Sequence, residues 1–207
     1  MLKRDKIIAA AFVVQIVGCA TYYTVRSHRV DSAPLRRVYI DAEALIGSRT
    51  QILGRQNTPF TLVEFADYQC PPCARANSEI KKILGKNPDR INFCFRNFPL
   101  PSHEFAKSAA IVAEKYRSTD QFWIVHDRLF ADQDNFSLDK INNLGGVLKR
   151  QPPQSEEKAI KRVQADIKLG ELASVQGTPT FFLCRPDGTI FELQNLTQVD
   201  QLLKQQD

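Results

Sequence analysis

The sequence predicts an α/β fold: a small sheet begun by a βαβ unit, interrupted by a helical insertion and closed by a hairpin and a helix. Phe60–Ala66 (FTLVEFA) and Ile91–Phe95 (INFCF) are short apolar runs of the kind that form buried strands. Between them, Arg75–Leu84 suits a helix with Ile80, Ile83 and Leu84 on one face. From His103 to about Leu172 the pattern is helical. Phe105, Ala109, Val112 and Ala113 recur at helical spacing, as do Phe122, Val125, Leu129 and Phe130. Gly145-Gly146 and Pro152-Pro153 punctuate this insertion, which covers about residues 101–173, with Phe122 and Trp123 in its core. Thr180–Leu183 and Thr189–Leu193 flank the turn Pro186-Asp187-Gly188 and read as a hairpin. Val199–Leu203 closes the chain with an amphipathic helix.

Composition narrows the function classes. With 43% hydrophobic and 25% charged residues, the 207-residue chain is that of a globular protein, neither disordered nor a coiled coil. Its length suits one main domain able to bury a core without disulfide staples. The net charge of +5 comes from interleaved basic and acidic residues, with no aromatic-basic stripe, which excludes a nucleic-acid-binding reading. Five Cys are too few, and odd in number, for a disulfide framework, so each needs its own explanation.

Residues 1–23 read as an export signal or an anchor. Lys3, Arg4 and Lys6 precede the apolar run Ile7–Val17, the layout of a secretory signal. Ile16-Val17-Gly18-Cys19 resembles a permissive lipobox in which Cys19 is lipidated, with Ile16 standing where Leu is usual. Alternatively, Ile7–Tyr23 is an uncleaved anchor at the short end of what spans a bilayer, with Tyr22 and Tyr23 at the interface. A buried N-terminal helix is the third reading. The first two place the rest of the chain outside the cytoplasm, in a compartment that permits disulfides. Residues 24–52 read as a tether in which Val38-Tyr39-Ile40 could form a short strand, and 53–207 as the globular domain.

Cys70-Pro71-Pro72-Cys73 carries the chemistry. Two Cys at i and i+3, after a strand and opening a helix, place the first sulfur at the helix N-cap, where free N–H groups and the dipole favour a thiolate. The second is one turn in and able to close a disulfide with the first. Pro is tolerated there because first-turn N–H groups have no intrahelical partners. A zinc half-site would need more ligands, yet Cys94 and Cys184 are single and His28, His103 and His126 are scattered. A structural disulfide would close almost the smallest possible loop. Glu64, six residues before Cys70 in an apolar strand, would by alternation face the covered side, where it could take and return the proton of Cys73; a strand-end Glu reaching solvent is the alternative. Gly177-Thr178-Pro179-Thr180 precedes a strand, where Pro is either an ordinary edge device or a cis bond.

FADYQCPPC, FRNFPLPSHEFAKSA, FWIVHDRLFA and GTPTFF, in that order, resemble the DsbA-like branch of the thioredoxin superfamily from about Leu53 to the C-terminus. The resemblance implies a thioredoxin fold, with the insertion between the second and third core strands. It implies a nucleophilic Cys70, a resolving Cys73, Glu64 as the family's buried acid, and a cis Pro179 beside Cys70 with the Thr178 backbone offered to a substrate peptide. Pro71, Pro72 and Tyr68 would add a shallow docking surface. It further implies a membrane-associated extracytoplasmic protein that forms disulfides in exported Cys-containing proteins and is recharged by a quinone-linked membrane partner. No metal or organic cofactor is expected beyond the redox-active pair. The same residues would serve a membrane-tethered reductase or isomerase, and a non-catalytic binding module or holdase is the third class.

The chain departs from the strongest oxidants, which carry His before the second Cys. Pro72 removes that side chain and one N–H near the Cys70 sulfur, so Cys70 should titrate nearer the thioredoxin value of about 7 than the DsbA value of about 3.5. Cys94 and Cys184 are expected on strands either side of the first, roughly 9–10 Å apart and unbonded. His103 and His126 are expected to pack or cap.

Overall fold

The computed structural model describes residues 35–47, 52–119, 121–144 and 154–204. Cys19 and the apolar run of residues 7–23 lie outside the described residues. In chain order the elements are β1 (Arg36–Val38), α1 (Ala42–Ile46), β2 (Ile52–Leu53), β3 (Phe60–Ala66), α2 (Pro71–Lys86), β4 (Ile91–Asn97), α3 (Ala106–Lys115), α4 (Phe122–Ala131), a 3-10 turn (Gln133–Asn135), α5 (Leu138–Asn143), α6 (Glu156–Leu172), β5 (Thr180–Cys184), β6 (Ile190–Leu193) and α7 (Thr197–Lys204).

Among the described residues these strands form one six-stranded sheet in the order β1-β6-β5-β3-β4-β2. The β3–β4 pair is parallel, as a βαβ crossover requires, and the other pairs are antiparallel. All seven residues of β3 are buried, the polar Thr61 and Glu64 included, as in a strand covered on both faces. Side chains alternate along it. Val63 and Phe65 join a core with Leu45, Cys94, Phe182 and Ile190, while Glu64 belongs to the opposite face. The insertion α3–α6 lies between β4 and β5, the second and third core strands, as expected.

The segment read as a tether up to residue 52 is partly structural. Arg36–Val38 pairs with β6, two residues earlier than the anticipated strand, and Ile52–Leu53 pairs with β4. Between them α1 is N-capped by Asp41, whose carboxylate accepts the N–H groups of Glu43 and Ala44, and its Leu45 is fully buried. These edge elements are two to five residues long. Pairing partners more than 40 residues away create them, so local periodicity carries no trace of them. Helix α2 also starts four residues before Arg75, because Pro71 and Pro72 occupy its first turn without costing a helical hydrogen bond.

A buried polar cluster fixes the insertion to the sheet. Arg117, just after α3, donates to both carboxylate oxygens of Glu114 at 2.7 Å and to the Phe95 carbonyl at 3.2 Å, with its guanidinium 4.5 Å from the Phe122 ring centroid. Asp166 of α6 accepts from Arg96 at 2.7 Å and from the Asn97 backbone at 3.0 Å. The Asn97 amide donates to Glu114 at 2.6 Å, and Arg96 continues to the carbonyls of Ala44 and Leu45. Helix α6 also comes close to β4 at Gly170, where a Cβ would lie 2.6 Å from the Phe98 ring.

Glu114→Ala leaves the Arg117 guanidinium buried without its main acceptor and should cost about 3–5 kcal/mol. Glu157→Ala, breaking the exposed Lys161–Glu157 pair, should cost about 0.5 kcal/mol or less. Urea denaturation of the two purified variants checks the contrast.

Candidate dithiol active site

The turn between β3 and α2 is fastened from several sides. Asp67 has a fully buried side chain that accepts the Gln69 N–H at 2.7 Å, the Leu100 N–H at 2.8 Å and a 2.7 Å hydrogen bond from His103 Nδ1. Its own carbonyl accepts the Cys70 N–H at 3.1 Å. From the insertion, Gln133 donates to the carbonyls of Tyr68 (2.9 Å) and Cys70 (3.3 Å), and Gln69 accepts the Phe105 N–H at 2.7 Å. Cys70 is the N-cap of α2, with extended backbone angles and no side-chain cap bond of its own.

The two thiols have different surroundings. Cys73 is fully buried, whereas Cys70 retains 4% exposure beside the exposed Pro71 and Pro72. The Cys70 thiol donates to the Thr178 carbonyl at 3.3 Å, and the Thr178–Pro179 bond that follows is cis. Cys70 titrates at about 6. The hydrogen bond from the Cys73 thiol lowers it most, aided by the Cys73 backbone N–H, while burial and the Asp67 charge oppose. That value lies nearer the thioredoxin benchmark of about 7 than the DsbA benchmark of about 3.5, as Pro72's missing N–H suggests. Burial drives the Cys73 thiol strongly upward, reinforced by its hydrogen bond to Cys70 and by Glu64.

Glu64 is the buried acid of the site. It is 1% exposed, and neither carboxylate oxygen has a hydrogen-bond partner among the described residues. Strand register sets it between Phe95 and Phe181. Burial pushes its pKa well up, and negative charge on Cys70 pushes the same way, so Glu64 holds a proton while Cys70 is a thiolate.

Tyr68 does not belong to a docking surface. It is 1% exposed, its ring centroid lies 5.1 Å from Phe95 and 4.9 Å from Phe130, and its hydroxyl meets His126 Nδ1 at 3.1 Å. The insertion covers it, which its position two residues before Cys70 does not reveal. His126 is a packing residue whose burial lowers it to about 3, leaving it neutral. His103 accepts the Ala106 N–H at the start of α3 through its carbonyl, and its ring holds Asp67. Cys94 and Cys184 are buried free thiols on either side of β3, opposite Val63 and Thr61. Cys94 donates to the Ile46 carbonyl at 3.1 Å, and burial pushes Cys184 up to about 12. Sequence reasoning passed over Asp67, Gln69 and Gln133. Asp67 had a local signal, an Asx turn onto residue 69, whereas Gln133 had none.

Comparison with known proteins agrees with this geometry. Residues 48–205 match the family model described as thioredoxin. The chain is 31% identical over 171 residues to Na(+)/H(+) antiporter NhaA 3 of Salinispora tropica, covering 73% of this chain and 26% of that protein. It is 31% identical over 137 residues to Na(+)/H(+) antiporter NhaA of Nitrosospira multiformis, covering 63% and 22%. The chain thus spans about a quarter of the length of the curated relatives it matches. Among solved structures, a periplasmic thioredoxin-like protein from Salmonella enterica serovar Typhimurium superposes with a TM-score of 0.66 at 25% identity, over 79% of this chain and 93% of that one. Bacillus subtilis BdbD gives 0.62 at 24% identity over 76% and 92%, and Pseudomonas aeruginosa DsbA2 gives 0.58 at 20% over 76% and 94%; these two speak to the fold alone. A thioredoxin sheet, a dithiol at a helix N-terminus and a cis Pro179 beside it are, at family level, the equipment of a thiol–disulfide oxidoreductase. The chain belongs to the thioredoxin family.

Proposed function

We propose that the chain is an extracytoplasmic, membrane-associated thiol–disulfide oxidoreductase that forms disulfides in exported Cys-containing proteins through Cys70–Cys73. The observation that carries this reading is the asymmetry of the pair: Cys70 is partly accessible and titrates at about 6, while Cys73 is sealed and strongly raised. In the oxidising direction a substrate thiolate attacks the Cys70 sulfur, the Cys70–Cys73 bond breaks, and Cys73 leaves with the electron pair. A second substrate thiolate then attacks the substrate sulfur of the mixed disulfide, and Cys70 leaves as a thiolate. The pair is left reduced, to be recharged by a quinone-linked membrane partner. The exchange uses the two sulfurs themselves and calls on no metal or organic cofactor. Thr178, Pro179, Pro71 and Pro72 are the proposed contacts for the incoming chain.

Glu64 serves the departure and return of Cys73. In the reduced state Cys73 keeps its proton because it is buried and donates to the Cys70 thiolate, and Glu64 keeps its own because Cys70 is charged. A mixed disulfide on Cys70 cancels that charge. Both restraints then weaken together: Glu64 can release its proton towards solvent and, as a carboxylate, take the proton of Cys73, while in the oxidising direction the protonated Glu64 returns a proton to the departing Cys73 thiolate. The reverse direction, reduction of a substrate disulfide, uses the same steps. It is favoured to the extent that Cys70 is less acidic than the DsbA benchmark, and the potential of the pair separates the two directions. A value near about −120 mV marks an oxidant and one near about −270 mV a reductant. The antiporter names belong to much longer proteins, and the reading here rests on the dithiol.

Cys70→Ala should abolish exchange with a reduced substrate protein, and Cys73→Ala should trap the substrate as a mixed disulfide visible on non-reducing gels. Activity that survives in Cys70→Ala would remove the assignment and favour a binding role.

Because the thiolate is the nucleophile, alkylation of Cys70 by iodoacetamide should rise with pH through a midpoint of about 6 and level off above it. Rates measured from pH 4 to 9, on a Cys19→Ser variant in which Cys73, Cys94 and Cys184 are protected by their burial, check this.

Glu64→Gln should slow the step in which Cys73 expels a bound substrate by about 10²-fold, and leave the first attack by Cys70 near its normal rate. Stopped-flow kinetics that resolve accumulation and decay of the mixed disulfide separate the two steps.

A further inference from the structure

We propose that His103 is a positioning residue for thiol exchange: its hydrogen bond to Asp67 takes up negative charge that would otherwise act on the Cys70 thiolate. The inference rests on the exchange role of Cys70 and adds a residue that the dithiol motif does not contain.

Asp67 lies three residues before Cys70, and its carbonyl holds the Cys70 N–H at 3.1 Å. Its carboxylate is fully enclosed, so water does not screen it. Two of its three donors are fixed backbone N–H groups, those of Gln69 and Leu100. The third is the His103 ring at 2.7 Å, whose side chain is 26% exposed at the mouth of the loop after β4. For Nδ1 to bond a carboxylate it must carry the proton, which fixes the role of the ring. The titratable or charged groups acting on Cys70 are Cys73 from α2, Glu64 from β3 and Asp67 from the turn. The loop before β5 adds Thr178, and the insertion adds the uncharged Gln133 amide. Of these, Asp67 is the carboxylate that opposes the Cys70 thiolate, and His103 is the one side chain on the Asp67 carboxylate among its donors. The His103 ring bonds Asp67 rather than either thiol, so its influence passes through Asp67.

The test is the thiolate absorbance titration of Cys70 in the reduced, purified full-length protein. His103→Ala should raise the midpoint from about 6 by about one unit, because a nearby uncompensated charge of like sign moves a pKa by one to a few units. His103→Asn, whose amide N–H can replace the Nδ1 donor without a ring, should stay within about a few tenths of a unit of the parent. In an Asp67→Asn background His103→Ala should leave the midpoint unchanged. The proposal is overturned if His103→Ala does not move the midpoint, or moves it equally with and without the Asp67 carboxylate. If Asp67→Asn does not fold, equal midpoints in His103→Ala and His103→Asn overturn it just as well. Near-UV circular dichroism shows that the variants compared are folded. The titration needs no substrate, so its failure leaves the exchange reading standing, and a failure of exchange leaves the titration interpretable.

Discussion

The buried cluster at the end of β4 is the constraint on which the site depends. Two guanidinium groups, two carboxylates and the Asn97 amide meet there with little access to water. Ions taken out of water are tolerated only when their partners are complete, and here each carboxylate has at least two donors. The cluster joins α3, α6, β4 and, through Arg96, the carbonyl end of α1. The chain leaving β4 runs directly into Leu100 and His103, which hold Asp67, while α4, whose Phe122 packs under the Arg117 guanidinium, leads to Gln133 and its bonds to the carbonyls of Tyr68 and Cys70. The dithiol turn is therefore shaped by contacts whose other ends are fixed at this cluster. Loosening it would reach Cys70 although none of its residues touches sulfur.

A second constraint is the parity of β3. Because side chains alternate, Val63 and Phe65 can complete one core only if Glu64 enters the other face, between Phe95 and Phe181. A one-residue slip would place Glu64 among Leu45, Phe182 and Ile190 and take Val63 out of that core. Seven consecutive buried residues, paired on both sides, exclude the slip. The carboxylate is thus held without a hydrogen-bond partner by the packing of its neighbours rather than by any attraction of its own.

What could be read from the sequence follows from how local each signal is. The CxxC at a strand-to-helix junction, the cis Pro179 motif, β3 and the insertion are each written in a short window, and the sheet order follows once they are placed. The location of Glu64 needed register as well, because alternation alone left a solvent-reaching rotamer open. The edge strand Arg36–Val38 was anticipated two residues late and Ile52–Leu53 was missed, because partners far along the chain define them. Tyr68 was misplaced for a related reason: Phe130 and His126, some 60 residues later, close over it. Gln133 lies on a 3-10 turn whose sequence says nothing about the carbonyls it will meet 63 and 65 residues earlier. The Pro-Pro dipeptide was informative because it acts through a backbone N–H it lacks, an effect confined to one helical turn.

These constraints meet in the electrostatics of three groups. Cys70, Cys73 and Glu64 share a space with little water, where negative charge on Cys70 raises both Glu64 and Cys73. One negative charge is supported, and in the reduced state it sits on Cys70, the group nearest the helix N-terminus and the only one with several donors. Any bond formed at Cys70 removes the charge from that position. The remaining place for it is the interior pair, where the carboxylate can hold a proton or give it up as Cys73 requires. The order of events in exchange then follows from occupancy. In the proposed exchange, attack at Cys70 comes first, because only the loss of charge there favours ionisation at the fully buried Cys73.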